Sequence, residues 1–250
     1  FGQRLNAFVR WNQVLPVLKG VAEVFRDSNS LRENRERARL KFLFLRQGWT
    51  IDTFATALEE KLGFRLDEAE PEDAPIDVLR DHVGSHEQLQ PGLSYIGASV
   101  LRGRITGPQL RTAAELAEKY GSGELRTTTM QNLVIPNIPK AKIGAVSDRL
   151  TLAGLPTKGS VFQRGTVACT GSEFCKLAIT ETKGFARWLT EELDERLPGF
   201  EQQLRLHITG CPNSCGQHWI ADLGLEGKKL KVDGQLRDAY YFCVGGGVGK

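Results

Sequence analysis

Four cysteines in two tight pairs are the residues of this 250-residue chain whose types and spacing could do chemistry. Cys169 and Cys175 form the first pair, and Cys211 and Cys215 form the second. Four thiolates brought together by a fold can hold an iron–sulfur cluster or a structural metal ion. The sequence therefore predicts a metal or cluster centre, and redox chemistry at that centre.

Zinc and disulfides are the simpler explanations of these cysteines. Structural zinc usually takes pairs of ligands separated by two to four residues, whereas five residues separate Cys169 from Cys175. A fifth cysteine, Cys243, makes the count odd, and no export signal is visible, so disulfides are disfavoured. Small electron-transfer ferredoxins space their ligands at shorter, repeated intervals. A catalytic cluster site fits best, and zinc is the first alternative.

The composition is that of a globular protein with one large or two moderate domains. The net charge of +3 is small and evenly spread, so we expect no nucleic-acid partner. Apolar runs such as Phe42–Leu45 are too short to span a bilayer, so we expect no membrane partner. Free thiols favour a reducing compartment, and we expect the cytoplasm. The chain begins with Phe1 rather than Met, which we interpret as the mark of a fragment.

The elements that must position the cysteines begin with helices. Apolar residues at helical spacing predict helices over residues 14–27, 31–46 and 50–63, the last between an N-cap at Thr50 and Gly63. An acidic, proline-containing stretch follows and predicts a linker. The pattern then changes to strand over 93–100, helix over 108–120, strand over 125–134 and helix over 140–152. This order predicts half of a ferredoxin-like fold, whose open edge should pair with another copy.

Each cysteine pair is expected at the end of a secondary-structure element. The pattern predicts a long helix from Cys175 to about Leu197, so that the helix dipole would favour the thiolate form. Alternating apolar residues over 204–209 predict a strand that leads into the loop of Cys211 and Cys215. Cys243 is interpreted as a small core residue on a buried strand.

The residues around the cysteines resemble the assimilatory nitrite and sulfite reductases, closest to the ferredoxin-dependent nitrite reductases. The resemblance is carried by Val167-Ala168-Cys169-Thr170-Gly171-Ser172-Glu173-Phe174-Cys175, Glu181-Thr182, Thr209-Gly210-Cys211-Pro212-Asn213-Ser214-Cys215-Gly216-Gln217 and Ala221-Asp222-Leu223-Gly224. It implies that Cys169, Cys175, Cys211 and Cys215 hold a [4Fe-4S] cluster, and that Cys215 is also the axial ligand of siroheme.

The resemblance continues upstream and implies the domain organisation. Its upstream residues are Asn34, Arg35, Arg39, Leu40, Lys41, Phe42 and Gly48, together with Leu125-Arg126-Thr127-Thr128-Thr129-Met130-Gln131-Asn132. It implies an α/β (α+β) chain with a helical tail of a first cofactor half-domain (1–66), an acidic linker (67–90), a ferredoxin-like half-domain (91–157) and a cluster- and siroheme-binding half-domain (158–250). The chain would be the C-terminal portion of the reductase, and its N-terminal half would be a partner supplied by the same protein.

Three further residues are candidate cofactor contacts. Arg126 suits siroheme carboxylates, Gln131 lies in the same segment, and Asn213 lies between Cys211 and Cys215. Each has a structural alternative, as a polar group at the domain junction or as a turn residue. The resemblance implies that the catalytic Arg and Lys side chains that line the substrate lie outside this chain.

The function that these features imply is reduction of nitrite to ammonia by six electrons, with siroheme, the cluster and an electron donor such as ferredoxin. Sulfite reduction to sulfide is the alternative enzyme. A cluster-binding fragment without turnover is the alternative from a different class. The C-terminal Gly245-Gly246-Gly247-Val248-Gly249-Lys250 does not fit a phosphate-binding loop, since position 244 is Val and no Ser or Thr follows Lys250.

Overall fold

The computed structural model describes residues 3–34, 38–73 and 79–247. The chain divides into two compact units, the first within residues 1–77 and the second within residues 78–247. Among the described residues, no helix combines the length and the apolar character needed to cross a membrane.

The first unit is helical, with α1 (Val14–Asp27), α2 (Lys41–Arg46) and α3 (Ile51–Leu62). The apolar faces of these helices meet in one core. The cap predicted for α3 is confirmed, because the Thr50 hydroxyl accepts a hydrogen bond from the Thr53 amide at 3.1 Å. The buried residues of this core are Val24, Leu31, Leu43, Phe54 and Leu58.

The predicted helix over 31–46 is wrong in its first part. A 3₁₀ turn covers Asn29–Leu31, and α2 begins only at Lys41. The physical reason is the charge-rich composition of the described residues 32–34 and 38–39, which offer no apolar face to bury before Leu40, and the part of the predicted helix at 35–37 lies outside the described residues. The predicted family residue Arg35 lies outside the described residues.

The second unit opens with a four-stranded antiparallel sheet in the order β1-β2-β4-β3. Its strands are β1 (Gly84–Glu87), β2 (Leu93–Ala98), β3 (Arg126–Thr127) and β4 (Leu133–Pro139), and its helices are α4 (Gly107–Tyr120) and α5 (Ile143–Leu152). Apolar residues of the sheet and both helices form one core. The predicted strand–helix–strand–helix order is confirmed for residues 93–152.

Two boundaries in this region differ from the prediction. The strand β1 lies inside the predicted linker 67–90. The sequence pattern did not indicate it, because an edge strand can be polar and Gly-Ser-His-Glu shows no apolar alternation. The strand β3 is only two residues long. Thr128 explains this, because its hydroxyl accepts hydrogen bonds from the amides of Met130 and Asn132, both at 3.2 Å, and so stabilises a turn in place of a strand.

The second sheet has the order β5-β6-β7-β8. Its strands are β5 (Thr166–Ala168), β6 (Leu206–Thr209), β7 (Leu223–Val232) and β8 (Gln235–Val244), and its helices are α6 (Val161–Gly165) and α7 (Lys183–Arg196). The first three strands are parallel, and β8 returns antiparallel through a tight Asp233-Gly234 turn in which both residues have positive φ. The strand β6 confirms the strand predicted over 204–209.

The interpretation of Cys243 as a core residue on a buried strand is wrong. It lies on β8, most of whose residues are exposed in this chain, and Cys243 itself is half-buried. The long apolar stretch Tyr240–Val244 resembled a core strand, but only Tyr240 of this stretch contributes to the packed apolar cluster.

Candidate metal centre

The four cysteines lie on two loops that leave the same edge of the second sheet. Cys169 directly follows β5, and Gly210-Cys211 directly follows β6. The strands are parallel and adjacent, with Ala168 opposite Ile208, so their carboxyl ends meet. The Cys169 amide donates to the Ile208 carbonyl at 3.0 Å, which extends this pairing by one residue. The sheet topology therefore brings the two predicted pairs together.

Cys169 is surrounded by hydrogen-bond donors. The Gly210 amide donates to its sulfur at 3.2 Å, and the Thr182 hydroxyl donates to its carbonyl at 2.6 Å. These two bonds tie Cys169 to the loop that carries Cys211 and to the residue before α7.

The loop that carries Cys175 is held by backbone hydrogen bonds to the second loop. The amides of Ile179 and Thr180 both donate to the Gly210 carbonyl, at 2.8 and 3.2 Å. Gly171 allows the close return of this loop, because it has a φ of +70° and a Cβ there would meet Oγ1 of Thr182 at 2.5 Å. These contacts hold the loop that carries Cys175 against the loop that carries Cys211.

The predicted helix start at Cys175 is wrong, since α7 begins at Lys183. Two observations explain the later start. The amides of Ile179 and Thr180 donate to the Gly210 carbonyl, and the Glu181 carboxylate accepts from the amides of Gly184 and Phe185 at 2.8 and 3.0 Å. An acidic side chain that satisfies the first free amides is a helix cap. The dipole of α7 therefore does not begin at Cys175.

The second loop is a tight turn with unusual backbone angles. Ser214 and Gln217 flank Cys215 and have φ values of +58° and +57°, which are strained for residues other than glycine. Cys211 is 7% exposed, whereas Cys215 is the exposed cysteine of the four. Asn213 is exposed in the same turn. Of these four cysteines, Cys215 is therefore the one most accessible from outside its loop.

The case for a cluster rests on the loops that carry the cysteines. Within the described residues, which include all five cysteines, no three His, Cys, Asp or Glu side chains are grouped to hold a metal ion. A [4Fe-4S] cluster is a larger body that takes one thiolate at each of its four iron atoms. Two loops with two cysteines each, one sulfur already accepting an amide hydrogen bond, suit that larger group.

Lys183 is a residue of this site that sequence reasoning missed. It is buried, and its Nζ donates to the Ala168 carbonyl at 2.7 Å and to the Arg102 carbonyl. Burial lowers the pKa of Lys183, while the neighbouring Cys169 acts in the opposite direction. The sequence signal that could have found it is a lysine at the first residue of a helix. A cation there is opposed by the helix dipole, so its presence indicates another interaction that stabilises it.

Gln131 and Arg126 occupy different places. The Gln131 amide donates to the Ala168 carbonyl at 2.9 Å and accepts from the Ala168 amide at 3.2 Å, so it holds the residue before Cys169. Arg126 is exposed, pairs with Glu124 at 3.2 Å and lines an open cleft of about 620 Å³ to which no cysteine contributes. Gln131 therefore contacts the cysteine site through the backbone, and Arg126 does not join it.

His218 links the second loop to the strand β7. It is fully buried, its Nδ1 lies 3.0 Å from the Ser214 hydroxyl, and its Nε2 lies 2.9 Å from the Glu226 carboxylate. Burial lowers the pKa of His218, and the Glu226 carboxylate opposes that shift. The structure thus places a buried histidine beside the Cys215 loop.

Comparison with known families agrees with this geometry. Residues 86–153 match the nitrite/sulfite reductase ferredoxin-like half domain, and residues 161–250 match the nitrite and sulphite reductase 4Fe-4S domain. The chain belongs to the nitrite and sulfite reductase family. The predicted fold class and the predicted cofactors, a [4Fe-4S] cluster and siroheme, are those of this family and are confirmed.

Relatives from both branches of the family are similar to the chain. A ferredoxin–nitrite reductase of Synechococcus elongatus is 39% identical over 98% of this chain and 47% of its own length. Sulfite reductase [ferredoxin] 1 of Mycolicibacterium paratuberculosis is 37% identical over 99% of this chain and 45% of its own length. The solved structure of the Mycobacterium tuberculosis NirA protein superposes with a TM-score of 0.87 at 35% identity, over 97% of this chain and 44% of that one. The chain thus spans about half the length of the curated family members it matches.

Proposed function

We propose that this chain is the electron-delivering part of a reductase that takes nitrite to ammonia by six electrons. The observation that carries the proposal is the placement of Cys169, Cys175, Cys211 and Cys215 on two adjoining loops. These loops lie within the segment that matches the family's 4Fe-4S domain. When bound, siroheme and the cluster supply the multi-electron chemistry that side chains cannot perform.

The proposed ligands are the four cysteines, with Cys215 shared between the cluster and siroheme. The exposure of Cys215 supports this assignment, because a shared sulfur must face two groups. The chain's own contribution is to hold the thiolates: the Gly210 amide bonds the Cys169 sulfur, and the Lys183 ammonium lies close by. A cation and an amide donor both compensate the negative charge that a thiolate ligand of iron carries.

Other site assignments are proposals of the same kind. Asn213, Arg126 and Gln131 are proposed cofactor contacts, and the contacts of Gln131 with Ala168 add a positioning role for that residue. The catalytic Arg and Lys groups that grip the substrate are proposed to lie in the part of the protein outside this chain. The proposed domain limits are those given above, with β1 moved from the linker into the ferredoxin-like half-domain.

Nitrite is the preferred substrate, and sulfite is the second candidate. Several nitrite reductases are similar to the chain at 36–40% identity. The ferredoxin-dependent sulfite reductase, at 37% identity, supports the second candidate. Ferredoxin is the proposed electron donor, since the names of both kinds of relative include it. The cytoplasm is the proposed compartment, and the five free cysteines support a reducing one.

The test uses the full-length protein that contains this chain, purified without oxygen. We expect siroheme absorption bands, iron and acid-labile sulfide in the amounts of one [4Fe-4S] cluster, and consumption of nitrite with reduced ferredoxin. Turnover of sulfite measured under the same conditions decides between the two substrates. A colourless protein that contains zinc would overturn the proposal, and a protein with the cluster but no siroheme and no turnover would favour the cluster-binding fragment.

A further inference from the structure

Three polar side chains connect the Cys211–Cys215 loop to the sheet. Ser214 contacts His218 at 3.0 Å, and His218 contacts Glu226 at 2.9 Å. Glu226 lies on β7 opposite Thr209, two residues before Cys211, and its side chain is 12% exposed. The Ser214–His218–Glu226 chain therefore begins next to Cys215 and ends on a strand of the same sheet.

Two kinds of contact join the three groups. The Ser214 hydroxyl and Nδ1 of His218 share a hydrogen bond at 3.0 Å, whose direction depends on the tautomer of the ring. Nε2 of His218 faces the Glu226 carboxylate at 2.9 Å as a charge contact, without the alignment of a hydrogen bond. Glu226 therefore acts on His218 through its charge.

The backbone of Ser214 is strained and needs contacts that hold it in place. A non-glycine residue in the left-handed region is strained by about 1–3 kcal/mol and persists where the surroundings hold it. The Ser214 amide donates to the Cys211 carbonyl at 3.2 Å, and its carbonyl accepts from the Gln217 amide at 2.8 Å. Its hydroxyl, bonded to a buried ring, adds the tie that links this strained turn to the sheet.

We propose that the Ser214–His218–Glu226 chain positions the Cys215 loop and lowers the reduction potential of the cluster held there. This proposal rests on the proposed function. The positioning comes from the tie at Ser214, and the electrostatic part comes from Glu226. A largely buried negative charge opposes the addition of an electron to a nearby cluster, whose potential depends on local charge and on hydrogen bonding. His218 and Glu226 are positioning residues, since neither is a ligand.

The decisive variant is Glu226→Gln in the full-length holoprotein. The amide keeps the shape and an acceptor oxygen for His218 but removes the charge. We expect normal iron and sulfide content and a three- to tenfold shift of the reduction equilibrium toward the reduced cluster, roughly 30–60 mV for one electron. The measurement is a potentiometric titration followed by electron paramagnetic resonance of the reduced cluster. Glu191→Gln is the matched control, because it removes one carboxylate charge from the exposed face of α7.

Ser214→Ala separates positioning from charge. It breaks the tie to His218 and leaves Glu226 in place, so we expect faster loss of the cluster to an iron chelator with a smaller change in potential. If Glu226→Gln does not fold, Ser214→Ala still decides the positioning part, and wild-type retention of the cluster overturns it.

Failures of the two proposals can be told apart. Equal potentials in wild type and Glu226→Gln, with full cluster content in both, overturn the electrostatic part alone. An equal shift of the reduction potential in Glu191→Gln also overturns the electrostatic part, because the shift would then follow from the net charge of the protein and not from the position of Glu226. Absence of the cluster from the wild-type protein overturns both the proposed function and this inference.

Discussion

The two cysteine loops are held in different ways. The first loop depends on side chains from distant parts of the chain: Gln131 comes from the ferredoxin-like half, and Lys183 bridges to Arg102 of that half. The second loop depends on residues close to it in sequence or in the sheet, which are Ser214, His218 and Glu226. The contrast indicates that the first pair of ligands requires the docking of two substructures, whereas the second is encoded by one strand–loop–strand segment.

The largest expected effect is that of Cys215→Ser in the full-length protein. A hydroxyl is a poor replacement for a thiolate that is shared by two groups, so we expect loss of the cluster and of axial siroheme ligation together. Iron and sulfide analysis and the siroheme absorption bands measure both. This variant tests the second loop at its proposed shared ligand.

Cys243→Ser is the control for that experiment. Cys243 is a half-buried cysteine on β8, outside both loops, so its replacement should leave both cofactors intact. Loss of the cluster in Cys243→Ser, or its retention in Cys215→Ser, would show that the ligand assignment is wrong.

Lys183→Met is expected to have the next largest effect, and it tests the first loop. Methionine retains much of the length of lysine but leaves the carbonyls of Ala168 and Arg102 without their charged donor. Hydrogen bonds to charged groups contribute about 1.5–3 kcal/mol each. We expect a lower free energy of unfolding, measured with denaturant, and faster bleaching of the cluster.

The exposed Lys176 lies on the same loop as Cys175, and Lys176→Met is the matched control. Lys176→Met should change neither the free energy of unfolding nor the rate at which the cluster bleaches. A Lys183→Met protein as stable as the control would mean that docking of the two substructures does not hold the first loop.

Gln131→Glu should have a smaller effect of the same kind. The carboxylate can still accept from the Ala168 amide but cannot donate to its carbonyl, so one hydrogen bond is replaced by repulsion. We expect a loss of about 1–3 kcal/mol in unfolding free energy. The exposed Gln202→Glu carries the same change in charge and should be neutral. An unchanged Gln131→Glu protein with weakened siroheme binding would instead favour the cofactor role of Gln131.

Particular residues show what the sequence could and could not predict. The helical spacing of apolar residues predicted α4 and α5 closely, because each helix has one apolar face that can be recognised from its own sequence. The cysteine spacing predicted a donor set, which stays a prediction. The start of α7 was wrong because Ile179 and Thr180 are held by Gly210, which is far away in sequence. Lys183 and His218 were missed for the same reason, since their partners come together only through the topology of the sheets.

The smallest expected effect is at Tyr240, which stabilises the first loop from β8. Its hydroxyl donates to the Glu181 carbonyl, and its ring stacks on Phe185 at 4.3 Å. Burial raises the pKa of Tyr240 to about 12 from its ordinary value of 10.0. The folded state therefore binds this proton more tightly, so its contribution to stability is present below about pH 10 and is lost as the pH rises toward 12.

Tyr240→Phe retains the ring stack and removes the hydrogen bond, which should cost about 0.5–1.5 kcal/mol near neutral pH. The difference in unfolding free energy between wild type and Tyr240→Phe should shrink as the pH rises from 10 toward 12, where tyrosinate absorbance reports ionisation. A constant difference across that range would mean that the proton of Tyr240 does not stabilise the start of α7. In that case the first loop would depend on the ferredoxin-like half rather than on β8. The first loop would then be held only by distant parts of the chain and the second loop by nearby residues, which would strengthen the contrast between them.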